Sequence, residues 1–232
     1  MDIACYSEIG GRKVNEDALA VVSSETSALL ILADGVGNCD NGRLASDTLV
    51  AVVKQELEGQ FPEEDALADA IVLAGERLCE YEGSLCTTAA VVWIHGESAV
   101  VGNVGDSRIY HFRNRKIIYQ SVDHSVAQLA VLAGALSRDR IRQSPDKNRL
   151  IRAVGSRSGK LRVDTEELAC CSGDAFLLCT DGFWNEITEK EMLEDIAVCG
   201  EESAEVWLAR MRRRIDPGNH SLDNHSAIVI KL

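Results

Sequence analysis

Apolar residues recur along the chain with two different periods. Short β-type runs at 18–23 and 28–33 predict successive strands, and runs at 87–94, 98–104, 108–112 and 116–121 predict a meander of four. Three more strands are expected at 163–168, 175–180 and 226–231. Helical spacing takes over in two early blocks. Leu49, Val52, Val53 and Leu57 share one face of a segment that starts near Gly42, and Leu67, Ile71, Ala74 and Leu78 repeat the pattern. Late in the chain, Thr188 and Glu191 form a capping box before Met192, Leu193 and Ile196. A further helix carries Val206, Leu208 and Met211, with Arg210, Arg212, Arg213 and Arg214 at its C-terminal end. There cations complement the helix dipole. The basic cluster reads as a solvated helix end, with a docking patch as the alternative.

Strands thus come in runs with helix pairs between them. The pattern predicts an α+β domain with mostly antiparallel sheets rather than a βαβ repeat. No internal repeat, linker or hinge divides the 232 residues, and the three prolines, Pro62, Pro145 and Pro217, mark no boundary. The segment 123–155 fits this plan least: one short helical pattern (Val126, Leu129, Leu132) precedes a polar, charged stretch at 137–147. Long weakly structured insertions in compact domains are often functional.

Composition narrows the choices. With 46% apolar residues the chain is not globally disordered. With 37 acidic against 24 basic residues its net charge is −13, the wrong sign for a nucleic-acid binder. No apolar run reaches the roughly 18 residues of a membrane helix, and the N-terminus lacks the pattern of a signal peptide. A cytoplasmic protein with no membrane contact is expected. Eight cysteines occur without a C-x-x-C pair. They read as small buried hydrophobes in a reducing compartment.

The acids fall at strand ends. Asp34-Gly35 closes the run from Leu30, Asp181-Gly182 closes the run from Phe176, and Asp106 ends the run from Val100. Asp223-Asn224 stands before the last strand, and Asn15-Glu16-Asp17 before an early one. Each alone is ordinary turn punctuation. Five such places allow several carboxylates to converge at one sheet edge. Two unit charges about 4 Å apart repel by roughly 4 kcal/mol at an effective dielectric near 20, so converging acids need a cation. Oxygen ligands without His or Cys suit magnesium or manganese. Arg12, three residues before Asn15, has the planar fork that clamps a phosphate.

These residues fall into motifs. Gly11-Arg12-Lys13-Val14-Asn15-Glu16-Asp17-Ala18, Ala33-Asp34-Gly35-Val36-Gly37 with Ala45-Ser46, Thr87-Thr88-Ala89, and Asn103-Val104-Gly105-Asp106-Ser107-Arg108-Ile109-Tyr110 occur in that order. Asp123-His124-Ser125, Asn148-Arg149-Leu150-Ile151-Arg152-Ala153-Val154-Gly155, Leu178-Cys179-Thr180-Asp181-Gly182 and Asp223-Asn224 follow. The series resembles the metal-dependent protein phosphatases, the type-2C serine/threonine family in its compact bacterial form, over essentially the whole chain.

The resemblance implies a central β-sandwich flanked by helix pairs in α-β-β-α layers. It implies one catalytic domain over residues 1–232, with a mobile flap at about 127–149. Its centre would hold two Mn or Mg ions, with Asp34 bridging, the Gly35 carbonyl, Asp181 and Asp223 completing the ligands, and Asp106 with Asp181 holding a third, weaker ion. Glu16, Asp17 and Asn224 would act from behind the ligands, the acids through ordered waters, while Arg12 grips the substrate phosphate. The implied reaction is hydrolysis of phospho-Ser/Thr in proteins by a hydroxide bridging the two ions, opposing a bacterial Ser/Thr kinase, in a monomer. A non-catalytic phosphoprotein-binding module and a hydrolase of small phosphorylated metabolites are the alternatives.

This chain departs from the family pattern in three places. Val36 stands where some members have His, which leaves protonation of the leaving group to a metal-bound water. Cys86 replaces the usual Gly before Thr87-Thr88, and Asn38-Cys39-Asp40-Asn41 replaces a loop richer in Gly and His. No phosphoenzyme is required, so Cys39 need not be a nucleophile, and His124 reads as a loop anchor.

Overall fold

The computed structural model describes residues 1–37, 39, 41–199, 202–215, 218 and 221–232, with the side chains of 198 and 199 excepted. Asn38 and Asp40 of the departing loop, Pro217 and the Cys199 side chain therefore lie outside the described residues.

Among the described residues ten strands form two five-stranded sheets. The first holds β1 (Asp2–Glu8), β10 (His225–Lys231), β9 (Ala175–Cys179), β6 (Arg108–Arg113) and β7 (Lys116–Gln120), in that order. The second holds β2 (Asp17–Ser23), β3 (Ser27–Asp34), β4 (Ala89–His95), β5 (Ser98–Val104) and β8 (Asp164–Ala169). The pairings between these described strands are all antiparallel.

The period-2 pattern of β3 shows why the layers stack as they do. Leu30 and Leu32 point into the core between the sheets, against Phe176, Leu178, Ile228 and Ile230. Leu29, Ile31 and Ala33 point the other way, into a core shared with α1 (Gly42–Leu57) and α2 (Glu64–Cys79). A strand covered on both faces reads as a continuous apolar run. The outer face of the first sheet is covered in the same manner. Tyr110, Phe112 and Leu177 pack there with Trp184 of α4 (Asp181–Trp184), Met192 of α5 (Glu189–Cys199), and Trp207 and Met211 of α6 (Ala204–Arg212). The architecture is α+β in four layers, as expected.

Four expectations change. The meander of four strands is split, because β4 and β5 belong to one sheet and β6 and β7 to the other. The chain crosses between sheets at 105–107, which places Asp106 at the crossing. β1 carried no sequence signal: it is an edge strand whose side chains are mostly exposed or half-exposed. The basic cluster on α6 is ion-paired, not simply solvated. Arg214 bonds Asp195 of α5 at 2.7 Å, and Arg212 pairs with Glu8 of β1. Of the described cysteines, Cys5, Cys79 and Cys171 are exposed and Cys39 is half-buried, so only Cys86, Cys170 and Cys179 are the buried hydrophobes expected.

The capping box forms, with the Thr188 amide donating to Glu191 Oε2 at 2.8 Å and the Glu191 amide to Thr188 Oγ1 at 3.3 Å. The segment 127–149 is more ordered than its polarity suggested. It contains most of α3 (Val126–Leu132) and a 3-10 helix (Arg138–Gln143). Arg142 ties that helix down, donating to the Trp184 carbonyl at 2.7 Å and pairing with Glu189 at 2.8 Å. Among the described residues no helix is long and apolar enough to cross a membrane.

Candidate metal centre

Both sheets end at one cleft of 420 Å3, lined by Arg12, Glu16, Asp34, Gly35, Asp106, Asp181, Asp223 and Asn224. Asp34 is the last residue of β3, and Asp17, its register partner, the first of β2. Asp106 follows β5, Asp181 follows β9 and Asp223 precedes β10. Residues far apart in sequence are thus gathered because five strands finish at the same edge.

The backbone round the acids is tightly fixed. The Asp34 amide donates to Thr88 Oγ1 at 2.9 Å, while its carbonyl accepts from the Thr88 amide at 2.9 Å and from Thr87 Oγ1 at 2.8 Å. Two glycines permit close approach. A Cβ on Gly35 would lie 2.3 Å from the Gly42 carbonyl oxygen, and one on Gly182 would lie 2.1 Å from that of Asn224. A side chain at either place would force the elements that carry the acids apart. Asn224 fixes the loop that bears Arg12. Its Nδ2 donates to the carbonyls of Ile9 (2.8 Å) and Val14 (3.0 Å), and its Oδ1 accepts from the Glu16 amide (2.8 Å). Its visible work is thus to shape that loop.

The acids carry an electrostatic load that hydrogen bonds relieve only in part. Burial, and then the charges of Asp17, Asp181, Asp106 and Asp223, hold the Asp34 carboxyl far above the usual range. Asp106 is raised in the same way by burial and by Asp181 and Asp123. Burial and the Asp223 charge push Asp181 up to about 6. Burial pushes Asp17 up to about 7, against hydrogen bonds from Ser226 Oγ (2.6 Å) and Thr180 Oγ1 (3.1 Å) to its Oδ2. Its Oδ1 is buried with no hydrogen-bond partner. Buried acceptors are costly to leave unsatisfied.

A hard cation fits this donor set, because every converging group is an oxygen and the repulsion is relieved only by positive charge. Among the described residues no group of three or more Asp, Glu, His or Cys side chains is drawn tightly enough to hold an ion as it stands. Asp223 faces Arg12, whose Nη2 donates to its Oδ2 at 2.6 Å, and Asp17 faces Thr180 and Ser226.

Some neighbours were not singled out from the sequence. Lys13, Val14, Asn148 and Leu150 also line the cleft. Thr180 and Ser226 read as plain strand residues, and nothing local marked them as partners of Asp17. His124 is indeed an anchor: its Nδ1 accepts from the Gly105 amide at 3.0 Å and its Nε2 lies 3.0 Å from Asp164.

Comparison with known proteins places the chain in a family. Residues 6–214 match the family model of protein phosphatase 2C. The serine/threonine phosphatase stp of Listeria welshimeri is 32% identical over 199 residues, 80% of this chain and 78% of that protein. The crystal structure of the serine/threonine phosphatase Stp1 from Staphylococcus aureus superposes with a TM-score of 0.86 at 25% identity, covering 100% of this chain and 95% of the other. The catalytic domain of the phosphatase PstP, solved with two manganese ions, shares the fold at a TM-score of 0.79 and 24% identity, covering 98% and 96%. The chain belongs to the protein phosphatase 2C family.

Proposed function

We propose that the protein is a manganese- or magnesium-dependent phosphatase of phosphoserine and phosphothreonine in proteins. The observation that carries this reading is the convergence of four strand-end aspartates, Asp34, Asp106, Asp181 and Asp223, and of Arg12 on one cleft, with Asp17 buried beside them. Asp34, Asp181, Asp223 and the Gly35 carbonyl hold two ions, and Asp106 with Asp181 a third, weaker one. Bound divalent ions supply Lewis acidity, lowering the pKa of water and neutralising phosphate charge.

The chain's own residues do the rest. Arg12, at the open rim, binds two oxygens of the substrate phosphate. Asp223 aims its guanidinium beforehand through the 2.6 Å contact. Asp17 and Glu16 orient waters beside the ligands, and Asn224 keeps the Arg12 loop in register with β10. Thr87 and Thr88 hold Asp34 in place while charge develops on the phosphoryl oxygens. The segment 127–149 acts as a flap of the single domain. Substrates are phosphoproteins made by a Ser/Thr kinase in the cytoplasm, and the chain acts as a monomer.

Turnover of a phosphothreonine peptide and of small phosphorylated metabolites, measured with saturating manganese, tests the reading. A much higher kcat/KM for the peptide is expected. A large preference for metabolites overturns the substrate class, and no turnover with intact metal binding leaves a binding module.

A further inference from the structure

Two thiols stand close in sequence to residues that line or brace this cleft, where the family pattern has none. Cys39 lies in the loop from β3 to α1, past the cleft-lining Gly35, Val36 and Gly37. Cys86 lies just before the Thr87-Thr88 pair that clamps Asp34. The backbone brings them together. The Val36 amide donates to the Cys86 carbonyl at 2.9 Å, and the Cys39 amide closes a turn onto the Val36 carbonyl at 2.9 Å. The two thiols flank one hydroxyl, that of Ser84. Ser84 Oγ touches both, donating to Cys39 Sγ at 3.6 Å and lying 3.8 Å from Cys86 Sγ. Cys39 is half-buried and reachable, whereas Cys86 is buried.

We propose that Cys39 and Cys86 are a redox modification site: on exposure to a peroxide they form a disulfide that shifts the loop between Asp34 and α1 and lowers turnover.

The chemistry balances with hydrogen peroxide as the oxidant. Cys39 Sγ attacks one peroxide oxygen, the O–O bond breaks, and a sulfenic acid and water result. Cys86 Sγ then attacks the Cys39 sulfur. The S–S bond forms, the S–O bond breaks, and the departing hydroxide takes the Cys86 proton as water. In sum, two thiols and one peroxide give one disulfide and two waters. The order follows from access: burial and the neighbouring thiols push Cys86 up to about 11, so it stays protonated and is not the first to react. Ser84 lies beside the sulfur that gives up this proton.

The consequence for the cleft is geometric. A covalent S–S bond of about 2 Å is shorter than any thiol contact, so closure draws Cys39 toward Cys86 and strains the backbone at 35–37. Gly35 and Gly37 line the cleft on that stretch, and a misplacement of about 1 Å in a catalytic constellation costs up to about 100-fold. The effect on turnover rests on the proposed function; formation of the bond does not.

The test treats the full, metal-free chain with hydrogen peroxide, quenches with catalase, and maps peptides without reductant. A Cys39–Cys86 linked peptide is expected in the wild type and in Cys79→Ser, but not in Cys39→Ser or Cys86→Ser. After manganese is added, the oxidised wild type should lose roughly tenfold or more of its turnover and regain it with dithiothreitol. The Cys39→Ser and Cys86→Ser variants should keep their rate through the same treatment. Linkage of Cys39 to Cys79, or Cys39 ending as a sulfinic acid with Cys86 free, overturns the proposal. So does a crosslink that leaves turnover unchanged. A reduced chain inactive on phosphopeptides would instead defeat the functional reading and leave the crosslink result standing.

Discussion

Asp174 and Asp181 bracket the same strand, β9, and their chemistry is opposite. Both are buried, and burial pulls both carboxyls upward. At Asp174 the protein answers that penalty. Arg113 Nε donates at 2.8 Å and Arg113 Nη2 at 2.7 Å, His111 Nε2 sits at 2.9 Å, and the Cys171 amide donates at 3.0 Å. The carboxyl is held down at about 2. At Asp181 burial and the charge of Asp223 win over the hydrogen bonds from Asp34 and the Gly182 backbone, and the carboxyl rises to about 6. One end of the strand is internally neutralised; the other leaves positive charge to come from outside. The difference separates an acid kept for stability from one kept for a ligand.

The sharpest break of this comparison is to neutralise each acid in turn. Asp181→Asn, and likewise Asp34→Asn, should lower kcat by at least about 100-fold in saturating manganese, while the metal-free protein melts no lower, because a repulsive charge is gone. Near wild-type rates would remove these residues from the centre. Asp174→Asn should do the reverse. It leaves Arg113 and buried His111 without their anion, so about 3 kcal/mol of stability is lost, roughly 6–12 °C in Tm, with kcat per folded molecule unchanged.

The two ends should also separate by pH in melting experiments. Asp17 and Asp181 have folded values of about 7 and about 6, above the ordinary 3.8. Their contribution is therefore present below about pH 4 and lost as pH rises toward 7, so the metal-free protein should weaken over that window. Manganese at 100 times its Kd should restore about 2.7 kcal/mol at pH 7, and a flat titration would count against the centre. Asp174, held at about 2, works the other way: its contribution is present above about pH 4 and lost as pH falls toward 2. Its loss should therefore appear as a separate acid limb that Asp174→Asn abolishes. The smallest effect on stability belongs to Arg12→Ala. Arg12 is exposed and its pair with Asp223 is a surface one, worth under about 1 kcal/mol. Tm should barely move, while KM for a phosphopeptide rises.

The sequence reveals β3, β4, β9 and β10 because each is covered on both faces and reads as an unbroken apolar run. It conceals β1, whose edge position leaves Asp2, Cys5, Ser7 and Glu8 free to be polar or exposed. The strand-end acids are legible as a group because turns do not require so many. Which hydroxyls would hold Asp17 is not legible, since Thr180 and Ser226 are 163 and 209 residues away in the chain and carry no local pattern. The same distance hides the pairing of Arg212 with Glu8 and the splitting of the meander at Asp106, because both are set by how the sheets stack rather than by neighbouring residues.

The contact between Gly182 and the Asn224 backbone has a practical meaning for anyone who would transplant this centre. Copying the aspartates onto another sandwich copies only the donors. Their spacing is gauged by main chain lying against main chain with no side chain between, so a scaffold with even an alanine at that crossing would present the same acids at the wrong separation.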